Sequence, residues 1–154
     1  MISVWRIVKE EYARTAFDGN GAAMVSGRWN SRGVKMVYAA GSLSLAALEL
    51  FVHLERNARE MKFVRIKADV PGHVKIGEIR PGGLPKDWRA YPAPESTRRI
   101  GDDWIKKGDS PLLKVPSVIV PSEFDYLIDP DHRDLKSVRF NAPEPFSFDQ
   151  RMWG

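Results

Sequence analysis

The sequence predicts a single α+β domain over residues 1–154, with a mixed, mostly antiparallel sheet as its core and a few helices. Three observations predict it. Short segments rich in β-branched and aromatic residues recur along the chain and outnumber the helical ones. The 11 prolines and 12 glycines are spread through the connections rather than gathered in one linker. At 154 residues, 43% hydrophobic and 29% charged, the chain is long enough for one core and too apolar for disorder.

Taken in order, "ISVWRIV" (2–8) has the composition of a first strand. "EEYARTAFDGNGAAMVSG" reads as a short helix or turn followed by a Gly-rich loop. "KMVYAA" (35–40) is a second strand. A helix over 43–54 follows, with Ser42 or Ser44 as its N-cap. "MKFVRIKADV" (61–70) alternates as a strand and is stopped by Pro71-Gly72. "HVKIGEI" is a short strand, and "PGGLPKDWRAYPAP" a surface loop anchored by Trp88. "ESTRRIGDDWIKKG" is a second helix that ends at Gly108. "LLKVPSVIVP" is a strand whose Pro116 marks an edge or a bulge. "FDYLIDP" and "SVRF" complete the sheet, and the aromatics of "FSFDQRMWG" pack back on it.

Composition excludes several classes of function. There are no cysteines, so neither disulfides nor thiolate metal sites are available, which fits a reducing cytoplasm. No segment reaches the roughly 18 apolar residues of a membrane span, and "MISVWRIVKEEYART" lacks the pattern of a secretory leader. A cytoplasmic protein without membrane contact is expected. The net charge is +4, but the basic residues are scattered, and Arg98-Arg99 and Lys106-Lys107 are interleaved with Asp102 and Asp103. Direct nucleic-acid binding is therefore disfavoured. His53, His73 and His132 are isolated, so no metal is expected. "DGNGAA" does not make a dinucleotide fingerprint.

The predicted helix at 43–54 is apolar almost all round. Leu43, Ala46, Ala47, Leu50 and Leu54 form the core stripe, flanked by Phe51. Leu45, Leu48 and Val52 occupy the other side, and Glu49 lies among them. A carboxylate so placed is poorly solvated and needs a partner. It is either a helix-edge residue paired with Arg56 or His53, or part of a site. Arg28, next to Gly27 in "SGRWN", has the chemistry of a phosphate or carboxylate clamp, or is an exposed turn residue. Tyr38 on a strand is a core tyrosine or a pocket wall.

Together "VWRI", "SGRWNSRG", "VYAA", "LAALELFVHL", "LPKDW", "STRRIGDDWIKKGDSPLLKVPSVIVP", "EFDYLIDPDH" and "FSFDQRMW" run in order over nearly the whole chain, and in this they resemble the RES-domain family, the toxin half of bacterial Xre–RES toxin–antitoxin pairs. The resemblance implies a fold like that of the ADP-ribosyltransferases and NAD as substrate, without a metal. The product is either degraded NAD, by hydrolysis or phosphorolysis, or a protein target carrying ADP-ribose. It implies a cognate Xre-type antitoxin as partner. Residue by residue, it assigns catalysis to Glu49, Arg28 and Tyr38, and NAD binding to Arg28, Tyr38 and Ser117, with Ser122 the weaker match for the serine. Arg6 in "WRI" is a candidate second phosphate contact, or a strand residue at a sheet edge. The chain departs from the family where Asp125 and Asp129 stand in place of the commoner Asn, and where "DHRDL" replaces His-Pro-Asp. A non-catalytic nucleotide- or partner-binding module is the alternative.

Overall fold

The computed structural model describes residues 1–154, the side chain of Arg56 excepted. The strands are β1 (Ile2–Lys9), β2 (Val37–Ala40), β3 (Phe63–Val70), β4 (Ile76–Glu78), β5 (Leu112–Pro116), β6 (Phe124–Ile128), β7 (Arg139–Phe140) and β8 (Glu144–Phe146). The α-helices are α1 (Asn20–Val25), α2 (Leu43–Phe51) and α3 (Glu95–Lys107). One sheet runs in the order β4-β5-β6-β2-β1-β3-β7, and β8 also pairs with β3. Every pairing is antiparallel except that of β4 with β5. This is the mostly antiparallel α+β architecture expected from the sequence. Among the described residues no helix is long and apolar enough to cross a membrane.

Side chains alternate across a strand, and here both faces of the sheet are covered. One face carries Val4, Val37, Ala39, Ala68, Val70, Leu112 and Ile128, extended along β3 by Val64 and Ile66. The other carries Leu113, Val115 and Leu127 under Trp29 and Trp104, and Ile7, Ala40 and Phe63 under α2. The C-terminal aromatics do pack back: Phe148 lies 5.7 Å from Phe51 and 5.2 Å from Phe146, ring centre to ring centre.

Several local expectations are corrected. The predicted Gly-rich loop after residue 18 contains α1. The α-helix over 43–54 stops at Phe51, and the chain continues to Leu54 in tighter turns, His53 N–H bonding Leu50 O and Leu54 N–H bonding Phe51 O. Ser42, not Ser44, caps it, accepting from the Leu45 amide. Leu45 is buried at 3% exposure, whereas Leu48 and Val52 are 37% and 51% exposed. The face holding Leu45 and, one turn on, Glu49 is therefore covered. The strand through Pro116 ends there, beyond the last pairing of β5 with β4 at Lys114. The chain then doubles back, because the Ser117 hydroxyl accepts from the Ile119 and Val120 amides that a strand would have offered to a neighbour. "PEPF" supplies β8, which its prolines concealed. α3 ends at Gly108 as expected, with the glycine at φ +64 and its N–H on Trp104 O.

Candidate functional site

Glu49 projects from the covered side of α2 and is bonded to a serine 68 residues away. The Ser117 hydroxyl donates to Glu49 Oε1 at 2.6 Å. That hydroxyl accepts from Ile119 N and Val120 N, both at 3.1 Å. One donor and two acceptor positions are all a hydroxyl has, so Ser117 is filled by the protein. Of the roles open to it, orienting Glu49 is the one this geometry supports. Ser122 is exposed in the turn that follows. The pairing of Glu49 with Arg56 lies outside the described side chains. Ser117→Ala takes the acceptor from two amides and this donor from Glu49 at a buried position. It should cost about 1–3 kcal/mol, read as a lowered urea midpoint.

Asp125 on β6 completes this cluster. Its carboxyl is within hydrogen-bonding reach of Glu49, and burial first, then the contact with Glu49, push it far above the usual carboxylate range.

Arg28 and Tyr38 form a second cluster around "GRWNS". The Tyr38 hydroxyl donates to Asn30 Oδ1 at 2.6 Å and accepts from Trp29 N at 3.0 Å. Burial holds this phenol well above its ordinary pKa, so it stays neutral, and its ring face is what remains to meet a ligand. Gly27 is required here: a Cβ would come within 2.6 Å of the Tyr38 oxygen. Arg28 Nη1 donates to the carbonyls of Trp88 and Ala90 at 2.8 and 2.9 Å, which ties the Pro-rich loop down. Its Nε and Nη2 make no hydrogen bond among the described residues. Partial burial lowers its pKa, yet a guanidinium remains charged.

α3 holds the segment from behind. Thr97 Oγ1 donates to Arg28 O at 2.7 Å, Gly101 lies against the Trp29 carbonyl, and Asp102 accepts from the amide and hydroxyl of Ser31. Asn30, fully buried, donates to Ala22 O and Val34 O.

The two clusters share one sheet face. Tyr38 is opposite Leu127 and Ala40 is opposite Asp125 in the β2–β6 ladder, so Tyr38 and Asp125 are diagonal neighbours, about 7–8 Å apart along the backbone. A second connection runs through the loops. Arg28 holds Trp88 and Ala90, Arg89 Nε donates to Val118 O at 3.1 Å, and Ser117 holds Glu49. Arg6 is not brought to this group. It shares the opposite face with Val4 and Val8, where its Nε and Nη1 donate to Ala16 O and Tyr38 O at 2.8 and 2.9 Å. There it stitches β1 to β2, which meet at a single register pair, Trp5 with Ala40.

Sequence reasoning missed Asn30, Thr97, Gly101 and Asp102, and set Asp125 aside. Each acts through a contact distant in sequence or across the sheet. The one available signal was the buried stripe Thr97, Gly101, Trp104 on α3, at helical spacing. The assembled site offers an oriented carboxylate, a partly free guanidinium and an aromatic face. It suits a ligand with both an anionic part and a centre that gains positive charge.

Among protein families, the RES domain matches residues 3–149. A relative named "Prs ADP-ribosylating toxin", from Sphingobium sp. (strain YBL2), is 38% identical over 154 residues, covering 97% of this chain and 96% of its own. "Toxin Res" of Yersinia enterocolitica serotype O:8 / biotype 1B (strain NCTC 13174 / 8081) is 34% identical over 150 residues, covering 97% and 98%. Among solved structures, the M. tuberculosis MbcT-MbcA toxin-antitoxin complex has a chain of similar fold. Its TM-score is 0.77 at 14% identity, covering 95% of this chain and 84% of that one.

Proposed function

The chain belongs to the RES domain family, and from that premise we propose that it is the toxin of a toxin–antitoxin pair, acting as one unit over residues 1–154. Its reaction is cleavage of the nicotinamide–ribose bond of NAD, with transfer of ADP-ribose to a protein. The observation that carries this reading is Glu49, a carboxylate held from the protein side by Ser117 at 2.6 Å.

Heterolysis of that bond sends its electron pair to nicotinamide and leaves positive charge on the ribose. A carboxylate fixed in advance stabilises that charge without reorganising as it develops. Because Glu49 stands on a helix and is pinned by Ser117, its position costs nothing at the moment of reaction. Arg28 offers its free Nε and Nη2 to the diphosphate. The Tyr38 ring offers a stacking face to nicotinamide. The nucleophile then gives its electron pair to the ribose carbon and releases a proton.

The name of the 38% identical relative favours a protein as that nucleophile, and makes Prs the first acceptor to test. Water and phosphate are the competing acceptors. A cognate Xre-type antitoxin is the expected partner, and the cytoplasm, where NAD is abundant, the expected place of action.

The test is nicotinamide release by the purified chain, with and without phosphate, followed by mass analysis of the products. Transfer predicts slow release that a suitable protein accelerates. Free ADP-ribose would assign a glycohydrolase, and ADP-ribose 1″-phosphate a phosphorylase. NAD binding without release under any of these conditions would assign a binding module.

A further inference from the structure

We propose that Asp125 is a positioning residue for Glu49: a carboxylic acid that keeps its proton, donates it to the Glu49 carboxylate and, with Ser117, fixes that carboxylate from a second side. The functional part of this rests on the reading of Glu49 given above; the sharing of the proton does not.

Three observations carry it. Asp125 sits inside the sheet, paired with Ala40 of β2 and Val115 of β5. Its Oδ1 is buried and finds no donor among the described residues. Its carboxyl reaches Glu49. A buried carboxyl oxygen without a donor, beside a second carboxylate, is satisfied when one proton lies between the two.

Among the described residues no neighbour supplies a cation instead. Glu49 faces Asp125 from α2, and Ala40 and Val115 face it from the adjacent strands, with Tyr38 on the diagonal. The Ser117 hydroxyl is already spent on Glu49. Lys114 alternates to the opposite face, where its Nζ lies 4.0 Å from the centre of the Phe124 ring. Glu49 thus receives one hydrogen bond from a hydroxyl and one from the acid, which together fix its orientation.

The proton has a consequence apart from catalysis. The unfolded chain releases it above about pH 3.9, whereas burial and the Glu49 contact hold it in the folded chain to far higher pH. The folded state therefore binds more protons than the unfolded state throughout that window. The contribution of Asp125 to stability is fully present below the lower value and is lost as pH rises towards the upper one. An amide in its place donates to Glu49 and has nothing to titrate.

The test compares wild type, Asp125→Asn and Asp125→Leu as full chains. Urea unfolding is followed from about pH 5 to about pH 9, beside the pH profile of nicotinamide release. The wild-type midpoint should fall across this range relative to that of Asp125→Asn, which should be the more stable at the alkaline end. Asp125→Asn should lose no more than about threefold in kcat and Asp125→Leu about tenfold or more, with little change in KM. Midpoints of wild type and Asp125→Asn that stay parallel at every pH would overturn the shared proton. Asp125→Leu turning over as fast as wild type would overturn the positioning role. If wild type releases no nicotinamide, the reading as an NAD enzyme fails, and the urea comparison still decides whether the proton is shared.

Discussion

Glu49→Gln lowers NAD turnover by roughly 10²–10³-fold and leaves the fold standing. The amide is nearly the size of the carboxylate, and its oxygen can keep the hydrogen bond from Ser117. On the proposed reading, what disappears is the negative charge that would stand beside the ribose. The amide nitrogen can in turn donate to the Asp125 carboxyl, so the cluster keeps its hydrogen bonds. Thermal unfolding should therefore show no loss of stability while nicotinamide release collapses. Growth inhibition by the wild-type chain, expressed without its antitoxin, should collapse with it. If Glu49→Gln turned over NAD at the wild-type rate, the carboxylate would have no part in the reaction.

Gly101→Ala is the largest expected loss of stability. A Cβ at this position would overlap the carbonyl of Trp29 and come within 3.1 Å of the Met36 methyl. Backbone cannot yield as a flexible side chain can, so α3 must withdraw from the 28–31 segment. Thr97 then loses Arg28 O, and Asp102 loses Ser31. Overpacking of this kind costs about 3 kcal/mol or more when the neighbour is fixed. Gly21→Ala in α1 is the control. Nothing lies within 4 Å of its Cβ, and it should stabilise by about 0.5–1 kcal/mol through helix propensity. Urea unfolding of the two variants should move in opposite directions. Any Gly101→Ala protein that remains folded should bind NAD more weakly, because the backbone of Arg28 has shifted.

The strands other than β8 and both longer helices are legible because their signals are local. The Ser42 cap, the β-branched runs and the Gly108 stop each need only a few neighbouring residues. Glu49 is legible too, since a carboxylate inside an apolar helix contradicts the packing around it. Arg28 and Tyr38 carried open readings from their residue types, clamp or turn and pocket wall or core, and only the family pattern joined them to Ser117. The face to which Arg6 points was not legible: alternation relates it to Val4 and Val8, but only the assembled sheet places α2 on the other side. The partners that fix the site were hidden for a similar reason. Ser117 reaches Glu49 across 68 residues, and Thr97 reaches Arg28 across 69. No window along the chain contains both ends of such a bond. Asp125 read as a minor departure because its meaning depends on Glu49 standing beside it.

The most direct test of ADP-ribose transfer uses NAD labelled in its adenylate half. The purified chain and its Glu49→Gln variant are each incubated with a host-cell lysate, and intact proteins are then resolved and weighed. The account predicts label on a discrete protein, with the mass of one or more ADP-ribose units, in the wild-type reaction alone. Label that ends only in free ADP-ribose or its phosphate, or that modifies proteins equally with Glu49→Gln, would contradict it.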